Sequence, residues 1–310
     1  MTHTILGANG TIATELIPVL KKHNVNIRLV SRTPQHIEGT ESVTANALNS
    51  EEVLSAILGS DVVYLVIGIT YNAKIWKGEW PVIMRNVINA CKATGAKLVF
   101  FDNIYMYGKQ DGLITEDTPY DYISKKGRVR ADVARMLLQE MAAGSIKATI
   151  ARATDFYGPR VVEKSFAGLL VFDRMKKGNA AQWLINANVP RSFNYTPDAA
   201  EALYILGTDE KAVGQVWHLP SADPLTAKEF VKLAAKYMKG SEKVSVLPKW
   251  LLKIIGLFDA FMKEAYELNY QNEFPLHFSS AKFEKAFQFT PTSYADGVRV
   301  TAEWHLNRAI

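Results

Sequence analysis

A glycine-containing turn near the start of the sequence has the residue types that bind phosphate groups. The segment Gly7–Ala13 (GANGTIA) directly follows a short apolar run at His3–Leu6. Glycines allow a tight turn and a close approach to a ligand, and the amide groups that begin the next helix stabilise negative charge. Because the turn lies between a predicted strand and a predicted helix, it predicts a dinucleotide-binding site. The residues predicted to line that site are Gly7, Asn9, Gly10, Thr11 and Ile12.

The end of the second predicted strand bears on which nicotinamide dinucleotide would bind. It reads Val30-Ser31-Arg32 and contains no acid. A carboxylate there would bind a ribose 2′-hydroxyl and repel a 2′-phosphate, whereas serine can donate to a phosphate and arginine can bind it with its charged guanidinium. We therefore predict NADP(H) in preference to NAD(H). The alternative is that Arg32 is only a surface arginine at the end of a strand.

Short apolar runs alternate with amphipathic segments through the first half of the chain, which predicts βαβ crossovers and a parallel sheet. The predicted strands are His3–Leu6, Asn26–Val30, Asp61–Ile67, Lys97–Phe101 and Ile146–Ala151. The predicted helices are Ala13–Lys22 with Pro18 inside it, one that Ser50 caps, Pro81–Thr94 and Gly127–Met141.

Helix signals dominate the second half. Thr196-Pro197 opens one helix, Thr226 and Glu229 form a capping box for another, and Val216–Leu219 is a last strand between them. The apolar segment Trp250–Tyr266 predicts a packed helix with one solvated face, and a helix on a membrane surface is the alternative.

Composition excludes several classes of protein. The 310 residues carry a net charge of +5, with scattered basic residues, so we expect no nucleic-acid partner. No uncharged stretch is long enough to span a membrane, and we expect neither a membrane partner nor a signal peptide. The single cysteine, Cys91, excludes an internal disulfide and suits the cytoplasm. The six histidines are dispersed, and we expect no metal site.

Besides the glycine turn, five further segments carry a recognisable pattern: Tyr107-Gly108, Thr115–Pro119 (TEDTP), Arg152–Pro159 (RATDFYGP), Arg191–Asp198 (RSFNYTPD) and the ending Phe289–Trp304. Together they resemble the extended short-chain dehydrogenase/reductase family, also known as the NAD-dependent epimerase/dehydratase group. The resemblance extends over nearly the whole chain. It implies an α/β fold with a Rossmann-type doubly wound parallel sheet and a smaller, mostly helical C-terminal substrate domain.

The resemblance also implies domain limits and binding residues. The NADP-binding Rossmann domain would comprise residues 1–160 and 191–221, and the substrate domain residues 161–190 and 222–310. A homodimer would form through Pro81–Thr94 and Gly127–Met141. The residues expected to contact the cofactor are Asn46, Gly68, Ala153 and Thr154. Asp155 and Arg191 are expected to contact substrate, Arg191 through a diphosphate; a solvated surface arginine is the alternative for Arg191.

The catalytic residues of such a family member would be a tyrosine as general acid/base, a lysine four residues later, and a serine or threonine that orients the reacting oxygen. Tyr122 and Lys126 have the required spacing, and Lys126 would then also bind the cofactor through its nicotinamide ribose. A gapless alignment, which we favour, instead puts Lys126 at the tyrosine position and Arg130 at the lysine position. Asn103 stands where serine or threonine is expected. Arg130 could still bind the cofactor ribose, but it could not relay a proton near neutral pH.

Two functional hypotheses follow. The first is an NADP(H)-dependent oxidoreductase or epimerase acting on a small carbonyl or nucleotide-sugar substrate. The second is a catalytically weak NADP(H)-binding sensor or regulatory protein, which the replaced catalytic residues favour. Aromatic and aliphatic residues of the C-terminal part could form an apolar substrate pocket, or could be ordinary core. These residues are Trp183, Phe193, Trp250, Leu251, Phe258, Phe261 and Met262. Asp102 and Asp155 could take a proton role, or could be paired with a neighbouring arginine or lysine.

Overall fold

The computed structural model describes residues 1–161 and 165–308. The strands are β1 (Thr2–Leu6), β2 (Asn26–Ser31), β3 (Glu41–Thr44), β4 (Val62–Leu65), β5 (Lys97–Asp102), β6 (Leu113–Ile114), β7 (Ala148–Arg152), β8 (Phe156–Tyr157), β9 (Ala181–Leu184), β10 (Pro190–Arg191), β11 (Asn194–Tyr195), β12 (Val216–His218), β13 (Leu225–Thr226), β14 (Val244–Leu247) and β15 (His277–Phe278). The helices are α1 (Thr11–Lys22), α2 (Ser50–Ile57), α3 (Ala73–Thr94), α4 (Lys125–Ala142), α5 (Asp173–Lys176), α6 (Thr196–Thr208), α7 (Ala227–Met238), α8 (Lys249–Phe258), α9 (Ala260–Ala265), α10 (Ala281–Phe287) and α11 (Tyr294–Asn307).

The chain forms two compact units. The first comprises Met1–Met106, Lys125–Arg152 and Ala199–Trp217, and the second comprises the described parts of Tyr107–Ser124, Ala153–Asp198 and His218–Ile310. The assignment of one domain to cofactor and the other to substrate stays a prediction.

The first unit is built on a seven-stranded sheet with the order β3-β2-β1-β4-β5-β7-β12. In chain order, β2 and β3 are added to the sheet on one side of β1, and β4 is then added on the other side. The direction in which strands are added therefore reverses between β1 and β4. Both neighbours of β1 are parallel to it. In such sheets ligands bind beyond the carboxyl ends of the strands at the point of reversal. The glycine turn begins directly after β1, at that point.

Three helix boundaries differ from the sequence-based expectation, and asparagines cap two of these helices where we expected other residues. The α3 helix begins at Ala73 and contains Pro81 in its interior; the Asn72 side chain accepts hydrogen bonds from the amides of Lys74 and Ile75. The α2 helix is capped by Asn49, not by Ser50. The α1 helix begins at Thr11, two residues earlier than expected, and runs through Pro18.

The second unit combines short ladders with a helical core. Its ladders pair β8 with β11, β9 with β14, β10 with β13 and β6 with β15. The capping box predicted for Thr226 and Glu229 is confirmed. The core is aromatic, and its largest buried side chains include Tyr157, Phe172, Phe193 and Phe230.

The segment Trp250–Tyr266 is not the single helix that we predicted. Asp259 leaves the helical conformation with φ −120° and ψ 115°, ends α8, and accepts a hydrogen bond from the Met262 amide at the start of α9. Leu252, Gly256 and Ala265 are buried, as a packed face requires, but the solvated face also carries large apolar side chains of both helices. They are Trp250, Ile254, Leu257, Phe258 and Phe261. In the described part of the chain, no helix is long and apolar enough to cross a membrane.

Candidate functional site

The glycine turn has a backbone that only glycine tolerates at its first position. Gly7 has φ +102°, and a Cβ atom there would lie 2.8 Å from the backbone of Ile67, beyond the end of β4. The turn is held by hydrogen bonds from the Gly7 amide to the Val30 carbonyl (2.9 Å) and from the Gly10 amide to the Gly7 carbonyl (2.9 Å). The loops that follow β1 and β4 are therefore in close contact at the edge of the sheet.

The helix that follows this turn begins without a side-chain cap. Gly10 is the N-cap residue of α1 and offers no side-chain acceptor, whereas asparagines cap α2 and α3. The first amide groups of a helix have no acceptor within the helix, so those of Thr11 and Ile12 remain able to donate to an external anion. Both features fit the pyrophosphate of a dinucleotide, with Gly7, Gly10, Thr11 and Ile12 as the residues that would hold it.

Ser31 and Arg32, which we predicted to bind the 2′-phosphate of NADP(H), lie in the same unit as the glycine turn. Arg32 is exposed, and within the described residues it makes no hydrogen bond or ion pair. The Ser31 hydroxyl donates to the Thr33 carbonyl (2.6 Å), and the Asn9 amide group donates to the same carbonyl (3.1 Å). The Arg32 guanidinium is therefore open to solvent directly after β2.

Two further predicted cofactor residues are exposed. The Asn46 side chain accepts a hydrogen bond from the Leu48 amide (3.1 Å). Gly68 follows β4, and a Cβ atom there would meet nothing within 4 Å. Packing therefore does not require glycine at this position.

Two of the catalytic candidates, Asn103 and Arg130, contact a buried carboxylate. Asp102 ends β5, and its Oδ1 accepts hydrogen bonds from Arg130 Nε (2.7 Å), from Arg130 Nη2 and from the Asn103 amide (2.8 Å). Arg130 also lies over the Trp80 ring, 4.3 Å from its centroid. Asn103 Oδ1 accepts from the Tyr105 amide (3.0 Å) and so caps the short 3₁₀ turn Tyr105–Tyr107. For Asp102, pairing with a neighbouring arginine is confirmed.

Lys126 and Arg130 lie one turn apart in α4, and both are buried. The Lys126 ammonium lies 4.6 Å from the centroid of the Tyr71 ring. Tyr122 precedes the start of α4 at Lys125, so the four-residue spacing of Tyr122 and Lys126 does not place them on the face of one helix. The helix does bring together the two residues of the gapless alignment.

The predicted substrate residues of the second unit form a second polar cluster. Arg191 is 3% exposed, which excludes the solvated surface arginine. Its Nη2 donates to Asp155 Oδ2 (2.5 Å), and its Nη1 donates to Asn272 Oδ1 (2.6 Å). Asp155 is thus paired with an arginine, which was the alternative to a proton role for this residue.

Thr154 and Ala153 are buried beside this cluster. The Thr154 amide and hydroxyl both donate to Asn194 Oδ1, at 2.7 and 2.9 Å. Sequence reasoning missed Asn194 and Asn272 as members of this polar group. Asn194 lies inside the quoted RSFNYTPD motif, but nothing in the local sequence marks Asn272, which is 81 positions from its partner Arg191.

The apolar pocket proposed from the sequence does not form as one cluster. Trp183 and Phe193 are buried in the aromatic core of the second unit, whereas Trp250, Phe258 and Phe261 are exposed. Across residues 1–161 and 165–308, no group of three histidine, cysteine or carboxylate side chains is arranged to hold a metal ion.

Comparisons with known proteins agree with this geometry. The model of the "NAD dependent epimerase/dehydratase family" matches residues 3–219. A UDP-N-acetyl-alpha-D-glucosaminuronate decarboxylase of Bacillus cytotoxicus is 25% identical over 228 residues, which are 71% of this chain and 67% of that protein. An uncharacterized protein, y4nL of Sinorhizobium fredii, is 28% identical over 139 residues, but the match spans only 38% of its length and 44% of this chain.

Solved structures show the same fold. A UDP-glucuronic acid 4-epimerase from Bacillus cereus in complex with NAD superposes with a TM-score of 0.80 at 16% identity, covering 99% of this chain and 100% of that one. A UDP-glucose 4-epimerase from Thermus thermophilus in complex with NAD gives a TM-score of 0.78 at 16% identity, covering both chains completely. These likenesses establish the Rossmann-type fold, and the family model matches more than half of the residues. The chain therefore belongs to the NAD-dependent epimerase/dehydratase family.

Proposed function

We propose that this chain is an NADP(H)-dependent enzyme that interconverts an alcohol and a carbonyl group on a small-molecule substrate, as an oxidoreductase or an epimerase. The observation that carries the proposal is the turn at Gly7, followed by a helix that lacks a side-chain cap. Its free amide groups fit a pyrophosphate. When bound, a nicotinamide cofactor supplies hydride transfer, and the protein supplies position and charge.

The preference for NADP(H) rests on Arg32. It is exposed, has no acidic neighbour in the Val30-Ser31-Arg32 segment, and makes no ion pair in the described residues that would have to be broken. A guanidinium can bind a 2′-phosphate through two parallel hydrogen bonds. The two 4-epimerases named above are in complex with NAD, so coenzyme choice is the part of the proposal that most needs a direct measurement.

Lys126 is the residue that we propose for proton transfer. It is buried in α4 one turn before Arg130, which supports the gapless alignment. Arg130 cannot exchange a proton near neutral pH, and its guanidinium is already bound to Asp102. Arg130 then holds the end of β5, and Asn103 holds the turn after it.

The Arg130–Asp102 pair also favours a second candidate, a catalytically weak NADP(H)-binding sensor. In that case the second unit would bind a partner or effector in place of a substrate. Both the enzyme and the sensor would bind the coenzyme, but only the enzyme would turn over a substrate at a substantial rate.

The test is a calorimetric titration with NADPH, NADP⁺, NADH and NAD⁺, followed by a turnover assay on aldehydes, ketones and nucleotide sugars. We expect NADP(H) to bind at least about tenfold more tightly than NAD(H). Equal affinities would refute the coenzyme preference, and no heat with any coenzyme would refute the whole proposal. Coenzyme binding without turnover of any compound would favour the sensor.

A further inference from the structure

The charge of the buried arginine in the second unit is already balanced. Arg191 is 3% exposed, and each of its terminal nitrogens holds one acceptor: Asp155 Oδ2 at 2.5 Å and Asn272 Oδ1 at 2.6 Å. Asp155 is partly exposed and has no ion pair other than this one in the described residues. The carboxylate and the guanidinium together carry no net charge.

The chain neighbours of this pair, Thr154 and Ser192, and their partner Asn194 are uncharged. The Thr154 hydroxyl donates to the Ser192 carbonyl (3.1 Å) and to Asn194 Oδ1 (2.9 Å). Asn194 in turn donates to the carbonyls of Leu219 (2.9 Å) and Pro220 (2.8 Å). These contacts hold neutral hydrogen-bonding groups in place and add no positive charge beside Asp155.

A diphosphate would be poorly tolerated here for two reasons. To bind the Arg191 guanidinium it would have to approach the Asp155 carboxylate that already touches that guanidinium, and like charges at such distances repel strongly in a buried site. To displace Asp155 it would have to break a buried ion pair and leave a carboxylate without its partner. Both effects would weaken the binding of a nucleotide sugar, and neither would weaken the binding of an uncharged substrate.

One donor of the arginine remains for an uncharged group. Arg191 Nε is buried and has no hydrogen-bond partner in the described residues. A buried donor without an acceptor is costly, and a carbonyl or hydroxyl oxygen would satisfy it without adding charge. We infer that the substrate is an uncharged carbonyl or hydroxy compound without a diphosphate, and that Asp155 is the specificity-determining residue. This inference rests on the proposed function only in assuming that the second unit binds a substrate.

The test is calorimetry with UDP and UDP-glucose on the intact protein and on Asp155→Asn. The control is Glu242→Gln, which changes the net charge equally at an exposed glutamate of the same unit. We expect no detectable heat from the wild-type protein or the control, and measurable UDP binding by Asp155→Asn with a Kd at least about tenfold below the weakest Kd that the titration can detect. A gain of the same size in Glu242→Gln would assign the effect to net charge and overturn the inference.

Two other outcomes would also overturn it. Micromolar binding of UDP to the wild-type protein would show that the Arg191–Asp155 pair does not exclude a diphosphate; this measurement needs no variant to fold. An Asp155→Asn protein that keeps the wild-type melting temperature and still binds no UDP would show that Asp155 is not the residue that excludes UDP. NADPH titration of the same samples tests the proposed function separately, because the coenzyme and UDP give independent heats.

Discussion

Arg130 of α4 binds Asp102 at the end of β5 through two nitrogens, and both side chains are almost completely buried. The same carboxylate oxygen accepts the Asn103 amide, and Arg152 Nε lies 3.6 Å from the other oxygen. The pair therefore joins the helix that carries Lys126 to the strand end that carries Asn103.

Replacing Arg130 with methionine should lower the free energy of unfolding by about 3 kcal/mol, because the buried Asp102 loses its main partner. The matched control is Arg128→Met, which removes an exposed arginine 4.0 Å from Asp132 in the same helix and should change stability by less than about 0.5 kcal/mol. Urea unfolding of the three proteins measures both effects. Equal stabilities of Arg130→Met and the wild type would show that the pair contributes little.

Lys126→Met should reduce turnover by about 10²-fold or more if Lys126 transfers the proton, while Tyr122→Phe should retain most activity. Tyr122 lies outside α4, and Lys126 lies within it, one turn from Arg130. The exposed neighbour Lys125 supplies the control, Lys125→Met, which should keep normal rates. The opposite pattern, an inactive Tyr122→Phe with an active Lys126→Met, would restore Tyr122 as the general acid/base.

Gly7→Ala should abolish coenzyme binding and destabilise the first unit. Its Cβ atom would meet the Ile67 backbone at 2.8 Å, and φ is +102°, which side chains rarely adopt. Gly112→Ala is the control, because a Cβ there meets nothing within 4 Å and the residue is exposed. Thermal unfolding and NADPH titration check both variants, and an unchanged NADPH affinity in Gly7→Ala would contradict the phosphate-binding assignment.

The alternation of strands and helices in the first half made its fold predictable from local pattern. The first five strands of the large sheet were placed to within two residues at each end except β3, which has no apolar run and is partly exposed. The start of α3 was missed because Pro81 is typical of a first turn, and the capping by Asn72 outweighed that signal. The break at Asp259 was missed because the apolar pattern continues through it.

The candidate site was less predictable, because its contacts join distant parts of the chain. The glycine turn could be recognised from residues that are close in sequence, although its backbone also contacts the distant residues Val30 and Ile67. The pairing of Arg191 with Asn272 and of Arg130 with Asp102 depends on how separate elements pack, which residue types alone do not determine. The catalytic and coenzyme-binding roles, the homodimer and the cytoplasmic location stay predictions.

Arg32→Ala should weaken NADPH binding by about 10- to 100-fold and leave NADH binding nearly unchanged. Arg32 is exposed and makes no ion pair in the described residues, so its removal should not alter stability. NADH serves as the internal control in the same fluorescence titration. An equal loss of affinity for both coenzymes would mean that Arg32 does not recognise the 2′-phosphate. No loss of affinity for either coenzyme would mean that Arg32 is only a surface residue.

The stability of the first unit should depend on pH through His3. His3 is buried in β1 with Nδ1 3.0 Å from the Tyr64 hydroxyl, and burial lowers its pKa from 6.5 to about 4, helped by the N-terminal amine and opposed by Asp61. The unfolded chain therefore binds this proton more tightly, and the free energy of unfolding should fall as the pH decreases from 6.5 toward 4. His305 lies in the second unit, and because burial also lowers its pKa to about 4, the stability of that unit should fall over the same pH range. In His3→Gln the decline between pH 7 and pH 5 should be smaller by on the order of 1 kcal/mol, whereas the exposed His36→Gln should behave as the wild type. Urea unfolding at a series of pH values measures this difference, and an equal decline in all three proteins would mean that His3 does not titrate on unfolding.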